Sequence, residues 1–174
     1  MYDSKIKLVI YIQDNPEKIS NMIKNIYKRL RFIADDDKII LLRNDKNDIN
    51  ENNLIHLADC AINIDTADPS GIFTIKNLLC NNLVITQDKS ASCDFINDKN
   101  GVVLKSFESN IEYYEETYDE SVYSIHETCY DVNMNELRRG MREITNLSLA
   151  EIDLKKSYIN KNYFSYESFG ELIV

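Results

Sequence analysis

The sequence predicts an α/β fold in which helices flank a parallel β-sheet. Short apolar runs alternate along the chain with segments whose apolar residues recur every three or four positions. These are the patterns of buried strands and amphipathic helices. The runs predicted as strands are residues 5–12, 38–43, 60–64, 83–86 and 102–104. Because strands and helices alternate, right-handed crossovers would place these strands in one parallel sheet, which is a Rossmann-like arrangement.

The predicted helices are marked by capping residues as well as by apolar spacing. Asn15, Pro16 and Glu17 suit the first positions of a helix that runs to about residue 32. Asn133, with Glu136 three residues later, begins another helix. Further helices are predicted from residue 50 or 52 to 57, from residue 71 onwards, at 147–159 and at 163–172.

The length of 174 residues suits one domain with a core of its own. We therefore expect a single Rossmann-like domain over residues 1–174. Its parts would be a βα core at 1–104, a variable insertion at 105–132 and C-terminal helices at 133–174.

The composition excludes several classes of function. A net charge of −9 argues against a nucleic-acid backbone or an anionic membrane as the main partner. No apolar run approaches the ~20 residues that a transmembrane helix needs. The polar start MYDSK is not a signal peptide, which predicts a cytoplasmic protein. The chain has 2 His and 4 Cys without a CxxC pair, so we expect no metal and no histidine-dependent hydrolase site.

The stretch from Cys60 to Thr86 contains the candidate site. An apolar run predicted as a strand is followed by a polar loop, residues 65–70, and Gly71 then opens a helix. A second predicted strand follows at 83–86 and completes a βαβ unit. In open α/β sheets, ligands bind at such a loop, opposite the amino end of the helix.

The same stretch resembles a known family. It reads LADCAINIDTADPSGIFTIKNLLCNNLVITQD, followed by NDKNGVVL. The order of Ala58-Asp59, Gly71, Cys80, Val84-Ile85 and the turn at 97–101 is similar to that in GT-B glycosyltransferases. The resemblance is to their carboxyl-terminal, nucleotide-sugar-binding half, in the large family of retaining enzymes called glycosyl transferases group 1. It implies a Rossmann-like sheet closed by C-terminal helices, with a nucleotide-sugar as the donor substrate and no other cofactor.

The resemblance also implies which residues hold the donor. The family's two glutamates, two helical turns apart, fall on Asp68 and Lys76. Asp68 keeps the charge on a shorter arm and is the predicted catalytic residue. The second glutamate of the family grips the nucleotide ribose, and a lysine cannot accept those hydrogen bonds. The predicted donor-binding residues are Asp65, Thr66, Asp68, Ser70, Gly71, Ile72 and Lys76.

Two parts of the family pattern are absent from the sequence. No Gly-Arg strand end with a following lysine, the pair of cations that neutralises the donor diphosphate, precedes Lys5. The amino-terminal acceptor domain is absent as well. We therefore expect the isolated chain to be inactive in sugar transfer, and to act only when joined to an N-terminal domain.

Two other interpretations stand beside a donor-binding domain. The chain could be a non-catalytic Rossmann-like scaffold in which Asp68 only offsets the helix dipole and Lys76 is an exposed helical lysine. A flavodoxin- or response-regulator-like domain would need a phosphate loop after the first strand. Residues 13–16, Gln-Asp-Asn-Pro, lack the glycines and hydroxyl groups of such a loop.

Overall fold

A computed structural model describes residues 6–12, 21, 39–43, 50–65, 70–110 and 128–164. The chain divides into two compact units, Met1–Leu54 and Ile55–Val174. The candidate site lies in the second unit. Within the described ranges, no helix is long and apolar enough to cross a membrane.

The first unit contains a pair of parallel strands. Strand β1 (Leu8–Ile12) pairs with β2 (Ile39–Arg43), in a register that sets Leu8 opposite Ile39. Helix α1 (Glu51–Leu57) begins after Asn50, whose side-chain oxygen accepts a hydrogen bond from the Asn53 amide at 2.9 Å. This bond satisfies one of the amide groups that the first turn of a helix leaves without a partner.

The second unit is built on a three-stranded parallel sheet in the order β3-β4-β5. The strands are β3 (Cys60–Asn63), β4 (Leu83–Gln87) and β5 (Gly101–Leu104). Helix α2 (Ile72–Leu79) connects β3 to β4, and a 3₁₀ turn at Ala91–Asp94 lies between β4 and β5. Because all three strands are parallel, their carboxyl ends meet at one edge of the sheet.

Both faces of this sheet are covered by apolar side chains. On one face, Ala61 and Val84 pack with Leu78 of α2 and with Ile96, and Phe95, Ile159 and Phe164 join this cluster. The other face carries Ile85, Val102 and Leu104, packed with Val132 and with Leu137, Met141 and Ile144. Every residue of β4 is buried, which suits the central strand of a sheet with two covered faces.

The chain then forms an antiparallel pair and two helices. Strand β6 (Ser106–Asn110) pairs with β7 (Thr128–Val132). Helix α3 (Met134–Thr145) is capped by Asn133, whose side chain accepts from the amides of Asn135 and Glu136. Helix α4 (Leu149–Ser157) begins with a capping box formed by Ser148 and Glu151. A 3₁₀ turn at Lys161–Phe164 ends the described chain.

The α/β class and the parallel pairing of the predicted strands are confirmed. The described strands form three hydrogen-bonded groups, β1-β2, β3-β4-β5 and β6-β7, whereas the sequence analysis placed all parallel strands in one sheet. Strand β4 runs one residue further than predicted and includes Gln87. The predicted insertion at 105–132 contains both β6 and β7.

Two predicted helices fall largely outside the described residues, namely those proposed for 15–32 and for 163–172. The single-domain prediction for residues 1–174, with its finer parts, stays a prediction.

Candidate functional site

The carboxyl edge of the sheet in the second unit collects polar side chains from separate segments. Asn63 ends β3 and Gln87 ends β4, while Gly71 precedes α2, whose amino terminus follows the same connection. The first turn of an α-helix presents amide groups without intrahelical acceptors, and they favour an anion. The edge therefore combines neutral polar side chains with a helix amino terminus.

Gly71 has a left-handed backbone conformation, with φ at +61°. A β-carbon at this position would lie 2.9 Å from Cε2 of Phe95 and 3.6 Å from the backbone nitrogen of Ser92. The absence of a side chain thus lets the start of α2 approach the 3₁₀ turn after β4. Next to it, the Ser70 hydroxyl accepts a hydrogen bond from the Ile72 amide at 3.4 Å.

A buried cluster of polar side chains joins β3, α2 and the 3₁₀ turn. The Asn63 side-chain nitrogen donates to Thr74 Oγ1 at 3.0 Å and to Ser92 Oγ at 3.2 Å. The two hydroxyl groups lie 2.7 Å apart. Asn63 Oδ1 accepts from the Asp65 amide at 3.4 Å, so the cluster also reaches the chain that leaves β3. These bonds fix the position of α2 relative to the sheet edge.

Gln87 lies at the centre of the edge, because β4 lies between β3 and β5. Its side-chain nitrogen donates to the backbone oxygen of Asp65 at 2.7 Å. Its side-chain oxygen is buried and has no hydrogen-bond partner in the part of the chain that the structure describes. An unsatisfied buried acceptor is uncommon in a folded protein and calls for an explanation.

The loop after β4 is tied back to the end of that strand. The Gln87 carbonyl oxygen accepts from the Ser90 hydroxyl at 3.3 Å and from the Cys93 thiol at 3.0 Å. Ser90 Oγ also lies 3.1 Å from Thr86 Oγ1. The loop therefore packs against the edge through neutral side chains.

The Asp88 carboxylate, in the loop after β4, is bonded to β6. Asp88 accepts hydrogen bonds from the backbone nitrogen and the hydroxyl group of Ser106. Slight burial raises the pKa of the Asp88 carboxyl, but these hydrogen bonds outweigh it and hold the pKa below its usual range. Asp88 thus joins the loop to β6.

The structure brings together part of the predicted donor site. Asp65, Ser70, Gly71 and Ile72 all lie where β3 leads into α2. Lys76 lies one helical turn beyond Ile72, in the last turn of α2. Thr66 and Asp68, the latter being the predicted catalytic residue, lie outside the described residues.

The sequence analysis missed the buried polar residues of the edge. Asn63 and Thr74 lay within a predicted strand and a predicted helix, and Gln87 lay just after the strand predicted at 83–86. A signal was present, because Asn63 interrupts the apolar run at 60–64 and Gln87 directly follows the run at 83–86. Their mutual contacts depend on the pairing of distant segments.

At the opposite edge, two residues with reactive side chains come together. Cys80 Sγ lies 3.5 Å from His56 Nδ1, after the carboxyl end of α2. Within the described ranges, no group of three or more His, Cys, Asp and Glu residues is placed to hold a metal ion.

Comparison of the sequence with known proteins identifies no family for this chain. No protein-family model matches the chain, and no curated protein sequence matches it.

Proposed function

We propose that this chain is a donor-binding domain that holds a nucleotide-sugar at the carboxyl edge of the sheet. The proposal joins the resemblance to retaining GT-B glycosyltransferases with one structural observation. Gly71, in a left-handed conformation at +61°, begins α2 directly after the connection from β3. This is where the family's glycine would lie and where a helix amino terminus faces the edge.

The expected ligand contacts follow from the chemistry of the edge. The amides at the start of α2 would bind the diphosphate, whose charge the helix dipole favours by about 0.3–1 kcal/mol. Asp68 would accept hydrogen bonds from the sugar, with Asp65, Thr66 and Ser70 beside it. In a complete enzyme, an N-terminal domain would supply the acceptor site.

Two features predict weak binding by this chain alone. The side chains that bond at the ends of β3 and β4, those of Asn63, Gln87, Ser90 and Cys93, are neutral, so they offer a phosphate no charge-assisted hydrogen bond. Lys76 stands where the family has its ribose-binding glutamate. We expect dissociation constants in the millimolar range, about −4 kcal/mol of binding free energy. We expect no sugar transfer by the isolated chain. We also propose that the protein is cytoplasmic.

An NMR titration of the full chain tests the proposal. Uridine diphosphate and guanosine diphosphate are added to several millimolar, and the expected result is a saturable shift of the amides of Ser70, Gly71 and Ile72. The expected inactivity is tested separately with nucleotide-sugar donors. Steady release of nucleotide from them that depends on an added sugar acceptor would contradict it.

A gain-of-binding variant sharpens this test. Lys76→Glu restores the family's glutamate and is expected to strengthen binding several-fold, through hydrogen bonds to the ribose worth about 1 kcal/mol. Lys99→Glu makes the same charge change in the exposed turn before β5, at the other edge of the sheet, and is the matched control.

The alternative is a non-catalytic scaffold derived from a glycosyltransferase. The charge reversal at Lys76 favours it, because the family's ribose contact cannot form there. Amide shifts away from the edge, or no shifts at high ligand concentration, would support this alternative and exclude the donor-binding proposal.

A further inference from the structure

The side chain of Gln87 is well placed to recognise a ligand, and only half of it is used within the chain. Its nitrogen atom bonds to the Asp65 carbonyl oxygen at 2.7 Å, while its oxygen atom has no partner among the described residues. The residue is 1% exposed. The buried carboxamide therefore carries one satisfied and one unsatisfied group.

The orientation of this carboxamide is fixed by the chemistry of its neighbour. Asp65 offers a carbonyl oxygen, which only accepts hydrogen bonds. Rotating the carboxamide by half a turn would set two acceptors against each other and leave the nitrogen without a partner. The atom that lacks a partner is thus Oε1, an acceptor that needs a donor.

The position of Oε1 relates it to the helix amino terminus. Gln87 is the last residue of the central strand, and the nitrogen of the same carboxamide contacts the chain that runs from β3 towards Gly71. Asp65 is itself exposed, so the carboxamide bonds to a residue at the surface of this edge. The unsatisfied acceptor and the amino terminus of α2 therefore border the same connection, the one that follows β3.

We propose that Gln87 Oε1 accepts a hydrogen bond from a hydroxyl group of the ligand that binds at this edge. This inference rests on the proposed function and names a specificity-determining contact for it. A carboxamide is neutral, and a neutral donor can be buried against it without a counter-charge, whereas a buried cation requires one. In a nucleotide-sugar, both the transferred sugar and the ribose carry such hydroxyl groups.

The residues around Gln87 support a neutral ligand group. Thr86, Ser90 and Cys93 contact its backbone or one another through hydroxyl and thiol groups. The Asn63, Thr74 and Ser92 cluster satisfies its own hydrogen bonds. Among the buried side-chain atoms of the described residues, Gln87 Oε1 is thus an acceptor that remains available to a ligand.

The test compares two variants of the full chain with two probes. Gln87→Met keeps the volume of the side chain and removes both polar groups. Asn82→Leu is the matched control: Asn82 is buried before the amino end of β4, and its side-chain nitrogen donates to Ile55 O at 2.6 Å and to Asn77 Oδ1 at 3.0 Å. Affinities for uridine diphosphate and uridine diphosphate glucose are measured by NMR titration, and thermal unfolding checks that each variant is folded.

We expect Gln87→Met to weaken uridine diphosphate glucose binding about tenfold while Asn82→Leu leaves it unchanged. If uridine diphosphate binding is unaffected, the hydroxyl belongs to the transferred sugar; if it falls equally, the hydroxyl belongs to the ribose. In the unmodified chain, the side-chain carbonyl carbon of Gln87 should shift on ligand addition.

Other outcomes overturn the inference. Unchanged binding in Gln87→Met would show that Oε1 contacts no ligand, and the donor-binding proposal would survive. Equal losses in both variants would trace the effect to destabilisation. Binding of neither probe by the unmodified chain would exclude the proposed function and this inference with it.

Discussion

The hydroxyl groups of Thr74 and Ser92 lie 2.7 Å apart in the interior, and neither residue has any exposed surface. One comes from the first turn of α2 and the other from the 3₁₀ turn after β4, so this contact joins the two segments that border the candidate site. Asn63 bonds to both and completes the connection to β3.

Removal of the Thr74 hydroxyl should therefore destabilise the fold. Thr74→Val keeps the shape of the side chain but leaves part of the hydrogen-bonding capacity of Asn63 and Ser92 unsatisfied. We expect the free energy of unfolding to fall by about 1–3 kcal/mol in urea titrations. Thr145→Val, at an exposed position on α3, is the control and should change it by less than about 0.5 kcal/mol. Similar small changes in both variants would show that the buried cluster adds little stability.

Gly71 should not tolerate a side chain. Gly71→Ala places a β-carbon in a left-handed conformation and 2.9 Å from Phe95. The conformation alone costs about 1–2 kcal/mol, so we expect a clear loss of unfolding free energy by chemical denaturation. Asn81 shares the left-handed conformation, with φ at 66°, and Asn81→Gly is expected to be neutral or stabilising by at most about 1 kcal/mol. A stable Gly71→Ala chain would mean that the start of α2 adopts another conformation.

Gly140 provides a test in which two effects oppose each other. Replacing an exposed helical glycine with alanine stabilises the helix by about 1 kcal/mol. In α3, however, a β-carbon at Gly140 would lie 2.6 Å from Leu104 Cδ2 and 3.2 Å from Ile85 Cγ2. Overpacking costs about 1–3 kcal/mol, so Gly140→Ala should lower the melting temperature.

The cause of that loss can be checked by a double-mutant cycle. Leu104→Val shortens the facing side chain, and the double variant should lose less stability than the sum of the two single variants. A higher melting temperature for Gly140→Ala alone would contradict the close packing of α3 on the sheet.

Cys60 should be the least reactive cysteine towards thiol reagents. Burial, and then the neighbouring Asp59 carboxylate, raise the pKa of its thiol from 9.0 to about 12. The thiol therefore stays protonated through pH 7–10 in the folded chain, and we expect iodoacetamide to leave it unmodified, as read by mass spectrometry.

The same pKa sets a direction for stability at high pH. In the unfolded chain the Cys60 thiol ionises near its ordinary pKa of 9.0, while the folded chain keeps the proton. Stability should then fall as pH rises from about 9 towards 12, and Cys60→Ala should reduce that dependence. In denaturant, all 4 cysteines should react. Rapid alkylation of Cys60 in the native state would contradict the raised pKa of its thiol.

Much of the second unit could be predicted because local patterns decide it. The apolar runs at β3, β4 and β5 and the capping residues of α3 each act within a few positions of the sequence. The end of β4 was less clear, since a polar residue can continue a strand when its side chain bonds to a neighbouring segment of the chain. Gln87 does this through the Asp65 carbonyl oxygen, a contact that no single segment reveals.

The polar cluster of the site could not be predicted for the same reason. Asn63 and Ser92 are far apart in the sequence, and their contact requires the pairing of β3 with β4 and the return of the chain through the 3₁₀ turn. The pairing of Cys80 with His56 has a similar origin. Local spacing rules address neither contact, because both depend on which elements pack together.

The central position of β4 also affects how the chain can fold during synthesis. Cys60 pairs with Leu83, and Val84 pairs with Gly101, so each edge of β4 finds its partner only after a full crossover. Such non-local pairing is slow, and the strand that is fully buried in the folded protein stays accessible until β5 has left the ribosome. After β4 has paired with β3 and before β5 has emerged, an apolar strand with one open edge is free to pair with other chains. A chaperone would therefore have its largest effect on yield during this interval.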